Sequence, residues 1–121
     1  MADIEGAAVP ERLLITRTTT GDGVSIVNLA GEVDLDGSGQ LRDVLLSCVQ
    51  STPGTVVDFG EVAFLDSSGI NVLITAHQAA EARGVWFRIA APQYAVERVL
   101  QLVGVDTLIG CFPTVEQALA A

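Results

Sequence analysis

Lysine is absent from this chain. Its six cations are all arginines, Arg12, Arg17, Arg42, Arg83, Arg88 and Arg98, placed singly along 121 residues. Nucleic-acid binding needs a clustered basic footprint that displaces counterions, and no such cluster exists here. Fifteen acidic residues give a formal charge of −9, which also opposes adsorption to anionic membrane surfaces. Cysteine is nearly missing. Cys48 and Cys111 are too few and too far apart for a disulfide framework or a zinc knuckle, and they read as two buried, reduced thiols of a cytosolic core. No apolar run approaches the roughly 18 residues of a membrane span. The start, Met1-Ala2-Asp3-Ile4-Glu5-Gly6, lacks the basic and apolar regions of a signal peptide. The expectation is a cytoplasmic protein without direct membrane or nucleic-acid contact.

Hydrophobic residues make up 50% of the chain, which excludes a disordered polypeptide and suits one domain over residues 1–121. Residues 1 to about 11 have no periodicity, contain Pro10 and read as a loose tail. Leu13–Thr19, rich in β-branched residues, and Val24–Ala30 flank Gly21-Asp22-Gly23, the pattern of an antiparallel hairpin. Leu41, Val44, Leu45 and Cys48 fall at helical spacing after Asp36-Gly37-Ser38-Gly39, read as turn and cap chemistry, and the helix exits at Thr52-Pro53-Gly54. Val56, Val57 and Phe59 form a short strand. Phe64-Leu65 leads into a second helix from about Ser67 to Arg83-Gly84, an ending favoured by the helix dipole and a left-handed cap.

Val85–Ala90 is a further strand, Val96, Val99, Leu100 and Val103 mark a third helix, and Thr107-Leu108-Ile109 reads as a last short strand. Thr114-Val115-Glu116-Gln117 matches the capping box of a terminal helix. Strand–helix–strand units imply right-handed parallel crossovers. The fold class expected is therefore α/β, with a mixed sheet that opens on an antiparallel hairpin and packs with about four helices.

Catalytic equipment is sparse. The single histidine, His77, lies about 15 Å along the same helix from Ser67, too far for a serine–histidine pair. The chain has no nucleophile elbow, no phosphate-binding loop and no His- or Cys-rich metal spacing. A hydrolase using Ser67 would have no base within reach. Asp34 and Asp36 offer two carboxylates on one loop, fewer ligands than hard cations take. The expectation is a non-enzyme without metal or other cofactor.

One segment is distinctive: Asp58-Phe59-Gly60-Glu61-Val62-Ala63-Phe64-Leu65-Asp66-Ser67-Ser68-Gly69-Ile70. With Gly31-Glu32-Val33-Asp34 before it, and Val99–Val105 and Phe112–Leu119 after it, the chain resembles the anti-sigma-factor antagonist family, the bacterial STAS domains, over nearly its whole length. After Asp34 the family often has a Thr-Ala-Pro-like start to its first helix, where this chain has Asp36-Gly37-Ser38-Gly39. The resemblance implies a STAS-like fold and a protein that, unphosphorylated, binds a cognate ATP-dependent anti-sigma-factor serine kinase and releases the sigma factor. It implies Ser67 as phosphoacceptor, Ser68 as runner-up, and a metal-dependent serine phosphatase that restores the hydroxyl.

On physical grounds Asp66 and the serines read first as ordinary N-capping, and a helix start also tolerates an added phosphate. Gly69 would let a protein backbone approach closely. Asp34, Asp36, Asp66, Ser67, Ser68, Gly69 and Ile70 are the expected partner-binding residues, the acidic ones facing basic groups. The other function considered is an accessory subunit or small-ligand sensor of a transporter or signalling assembly.

Overall fold

The computed structural model describes residues 12–121, so the tail expected over residues 1 to about 11 lies outside the described residues. Strands β1 (Leu13–Thr19) and β2 (Ser25–Val33) form the expected hairpin. Helix α1 (Leu35–Ser51) crosses to β3 (Gly54–Leu65), α2 (Ser67–Arg83) to β4 (Trp86–Ala90), and α3 (Tyr94–Leu102) with a 3-10 turn (Val105–Thr107) to β5 (Gly110–Phe112). Helix α4 (Val115–Ala120) follows. The sheet order is β1-β2-β3-β4-β5, with β1 antiparallel to β2 and the remaining pairs parallel. The expected mixed α/β architecture is the one observed.

Successive right-handed crossovers in one direction put α1, α2 and α3 on the same face. There Leu41, Leu45, Leu73 and Leu100 pack on Val27, Leu29, Val57, Phe59 and Ile89 in one cluster. Each such side chain, when fully buried, contributes about 1.5–3 kcal/mol. Helix α4 covers part of the opposite face, where Ala118 meets Val56 and Ala90 with Trp86 and Phe112 beside them. The β1–β2 half of that face lies largely open: Leu14, Thr16 and Thr18 are exposed, and Ile26, Asn28 and Ala30 are half-buried.

Four sequence expectations need correction. The last strand lies at Gly110–Phe112. Residues 107–109 instead close the 3-10 turn, with Leu108 exposed and Ile109 buried, so their apolar pattern reflects one anchoring side chain. Helix α1 begins at Leu35, and Asp36-Gly37-Ser38-Gly39 form its opening turns. A Cβ on Gly37 would stand 3.0 Å from Leu13 Cδ2, so this glycine sits where α1 packs closely on β1 and not in a turn. Strand β3 runs twelve residues to Leu65, where a short strand and a turn were expected. Its register against β2 shifts twice, between Asn28 and Ala30 and between Gly31 and Glu32. Those irregularities break the alternation that sequence patterning relies on. Finally, Cys48 is buried but Cys111 is only half-buried. Burial, followed by the Asp106 and Glu97 charges, pushes the Cys111 thiol up to about 11.

Candidate functional site

Strands β2 and β3 end level with each other, Val33 beside Leu65. Each is followed by one aspartate that opens a helix. Asp34 caps α1, its Oδ1 accepting from Asp36 N at 3.1 Å. Asp66 caps α2, its Oδ1 accepting from Ser68 N at 2.9 Å and Gly69 N at 3.3 Å. The Asp66 amide donates to Val33 O at 3.1 Å, which ties the two helix starts together. The register thus gathers Asp34, Asp36, Asp66 and Ser67, remote in sequence, along one edge of the molecule.

Within the box the two serines differ. Ser68 is half-buried, and its hydroxyl donates to Asp66 Oδ1. Ser67, the first helical residue, is exposed, and among the described residues no protein group hydrogen-bonds its hydroxyl. The Ser68 hydroxyl holds the Asp66 carboxyl below its ordinary value of 3.8. Partial desolvation opposes this, and the Gly69 and Ser68 amides reinforce it. The amides of the first turn are therefore already committed to Asp66. A phosphate on Ser67 would meet the dipole and its own residue's amide rather than a set of free first-turn amides.

Gly69 and Ile70 lie inward, both buried. A Cβ on Gly69 would fall 2.4 Å from Leu65 Cδ1 and 2.7 Å from Val33 Cγ1. The glycine thus serves α2's own approach to the strand ends, where the sequence reading had assigned it to an approaching partner. Asp34 is only 17% exposed and lies 3.6 Å from Arg12 Nη1, while Asp36 is exposed. Arg12 also pairs with Glu32 at 3.4 Å. His77 sits on α2, 3.6 Å from Glu81, and its ten-residue separation from Ser67 along one helix keeps the two apart.

Two apolar side chains of this edge were missed. Leu35 is 75% exposed directly after the Asp34 cap, and Phe64 is 48% exposed beside the end of β3. Leu35 falls outside the buried stripe of α1, a signal visible in the sequence. The solvent-facing side of Phe64 follows from the register shift in β3, which sequence alternation does not show. Among the described residues no group of three or more His, Cys, Asp or Glu side chains is arranged to hold a metal ion. Nor, among them, is any helix long and apolar enough to cross a membrane.

The STAS domain family model matches residues 16–118. An anti-sigma-F factor antagonist of Mycobacterium tuberculosis, RsfB, is 26% identical over 113 residues, which cover 93% of this chain and 91% of that protein. The crystal structure of an anti-sigma factor antagonist from Mycobacterium paratuberculosis superposes with a TM-score of 0.83 at 26% identity, covering 93% of this chain and 96% of the other. A sulfate transporter family protein from Wolinella succinogenes shares the fold at a TM-score of 0.73. It is 19% identical, with 85% of this chain and 86% of that one covered.

Proposed function

Because this chain belongs to the STAS domain family, we propose that it is an anti-sigma-factor antagonist switched by phosphorylation of Ser67. With the Ser67 hydroxyl bare, it binds a cognate anti-sigma-factor serine kinase in the cytoplasm and displaces the sigma factor. It acts as a single domain and catalyses nothing itself. The kinase uses ATP to phosphorylate Ser67, and a metal-dependent serine phosphatase reverses the step. The observation that carries this reading is the contrast within one box: Ser67 is exposed and its hydroxyl has no hydrogen-bond partner among the described residues, while Ser68 is tied to Asp66.

The docking edge combines both kinds of contact a partner can use. Leu35 and Phe64 are exposed apolar side chains where β2 gives way to α1 and β3 nears its end. Asp36, Asp66 and the partly neutralised Asp34 attract basic groups and speed association. A phosphate adds about −1.5 to −2 charge at pH 7. Facing one negative group of the kinase about 6 Å away, at an effective dielectric of about 40, it is repelled by roughly 3 kcal/mol, which is on the order of a hundredfold in affinity. Ser67 needs no refolding of the domain to exert this effect.

Incubation with the cognate kinase and ATP, followed by mass spectrometry, should locate one phosphate on Ser67. Ser67→Ala should keep kinase affinity and Ser67→Asp should weaken it. A phosphate found only elsewhere, or equal affinity for the two variants, defeats the proposal.

A further inference from the structure

Among the described residues β1 is one of the sheet's two outer strands, and its hydrogen-bonding parity is fixed at both ends. Glu32 N donates to Arg12 O at 2.7 Å and Thr20 N donates to Val24 O at 2.9 Å. In an antiparallel ladder the bonded positions alternate, so residues 12, 14, 16, 18 and 20 turn their amides and carbonyls toward β2. Leu13, Ile15, Arg17 and Thr19 turn theirs outward, and among the described residues no strand pairs with them. The edge has seven residues, no proline and no register shift. Apart from the inward-turned Arg17, the usual devices that blunt an exposed edge are missing among the described residues.

We propose that this edge pairs with β1 of a second copy of the chain, antiparallel about a two-fold axis through Thr16. In that register Ile15 exchanges both hydrogen bonds with Arg17 of the second copy, and Leu13 with Thr19. All four outward-facing residues on each side are satisfied at once. Thr16 faces Thr16, and Leu14 lies opposite Thr18 on the open face of the sheet. The two five-stranded sheets become one of ten strands.

Charge favours the same occupant. The chain is strongly acidic, and most approaches between two copies are repulsive. β1 carries no acid, and Arg17 is its one charge. That guanidinium is drawn onto its own subunit by Ser51 Oγ at 3.1 Å and Ser25 Oγ at 3.2 Å. The register sets it opposite Ile15, not opposite its own copy. At either end of the seam Arg12 comes level with Thr20 of the second copy, its guanidinium held by its own Glu32 at 3.4 Å and Asp34 at 3.6 Å, so no like charges are set face to face there.

Sedimentation equilibrium of the full chain should give twice the monomer mass as concentration rises. Oxidation of Thr16→Cys should give a covalent dimer. Residues facing each other at a non-hydrogen-bonded antiparallel position stand about 4.5 Å apart at Cα, within disulfide reach. Thr18→Cys should give none above the wild-type background, because its counterpart is four residues off in register, about 13 Å along the strand. Amide exchange at Ile15 and Arg17 should slow with increasing protein concentration. A monomer mass at every concentration, or equal cross-linking at positions 16 and 18, overturns the proposal. So does slow exchange at Ile15 and Arg17 that ignores concentration, which would put the chain's own leading residues on the edge.

Discussion

Asp66 does three jobs with one oxygen, accepting from two amides and the Ser68 hydroxyl. Replacing it with alanine should cost about 0.5–2 kcal/mol of unfolding free energy at pH 7, the usual worth of an N-cap. The pH dependence follows from the lowered pKa. The folded carboxyl is more acidic than the unfolded one, so its contribution is complete above about pH 4 and disappears as pH falls through the folded value. Urea denaturation of wild type and Asp66→Ala at stepped pH should show their difference closing in acid. Gly69→Ala gains helix propensity, about 1 kcal/mol, yet its Cβ must displace Val33 or Leu65. Overpacking of about 1–3 kcal/mol should dominate, and chemical denaturation should record a net loss. Cys111 should resist thiol reagents at pH 8 despite its partial exposure. With a pKa near 11 only about one part in a thousand is thiolate, and following alkylation by mass spectrometry from pH 8 to 11 should show the rate rising throughout.

At the start of β3 a third glycine carries a packing duty. A Cβ on Gly54 would lie 2.0 Å from Trp86 Cε2, and Gly54 pairs with Trp86 across β3 and β4. The Trp86 ring is in turn covered by the Arg88 guanidinium at 3.9 Å, which donates to Ala118 O of α4 at 2.9 Å. Gly54→Ala should therefore loosen α4 as well as the strand pair. The expected loss is about 1–3 kcal/mol, visible as a lowered denaturation midpoint and a shift in Trp86 fluorescence. These elements also mark what was legible in the sequence. The hairpin around Gly21-Asp22-Gly23, the stripe Leu41-Val44-Leu45-Cys48 and the Thr114 N-cap, which accepts from Gln117 N, each follow a local rule, and each formed where that rule put it. The start of α1 did not, because Gly37 answers to Leu13, more than twenty residues away. The second half of β3 was hidden for a similar reason: its burial order follows shifts in register against β2. At the candidate site the box and its cap were readable, whereas the inward role of Gly69 and the exposure of Phe64 depend on strands meeting in space.

For the molecule as a whole, acidic residues outnumber arginines 15 to 6, and among the described residues the arginine–carboxylate ion pairs involve only Arg12. Most negative charge is therefore free to act at long range. Association with a kinase bearing a basic surface should slow steeply as salt is raised from about 0.05 to 0.5 M while dissociation changes little, since screening acts mainly on the encounter. Stopped-flow measurement of both rates checks this. The levelling of Val33 with Leu65, and the amide of Asp66 on the Val33 carbonyl, has a wider consequence. Neither mouth of the two helices stands on a free-swinging loop; both are bolted to the central strands. A visiting protein meets a surface assembled before it arrives, and little motion is left to freeze when it lands. The hydroxyl's altitude above the sheet is thus dictated in part by Val33, 34 positions upstream, so a one-residue deletion at the end of either strand would throw the pair out of step while leaving the serine itself intact.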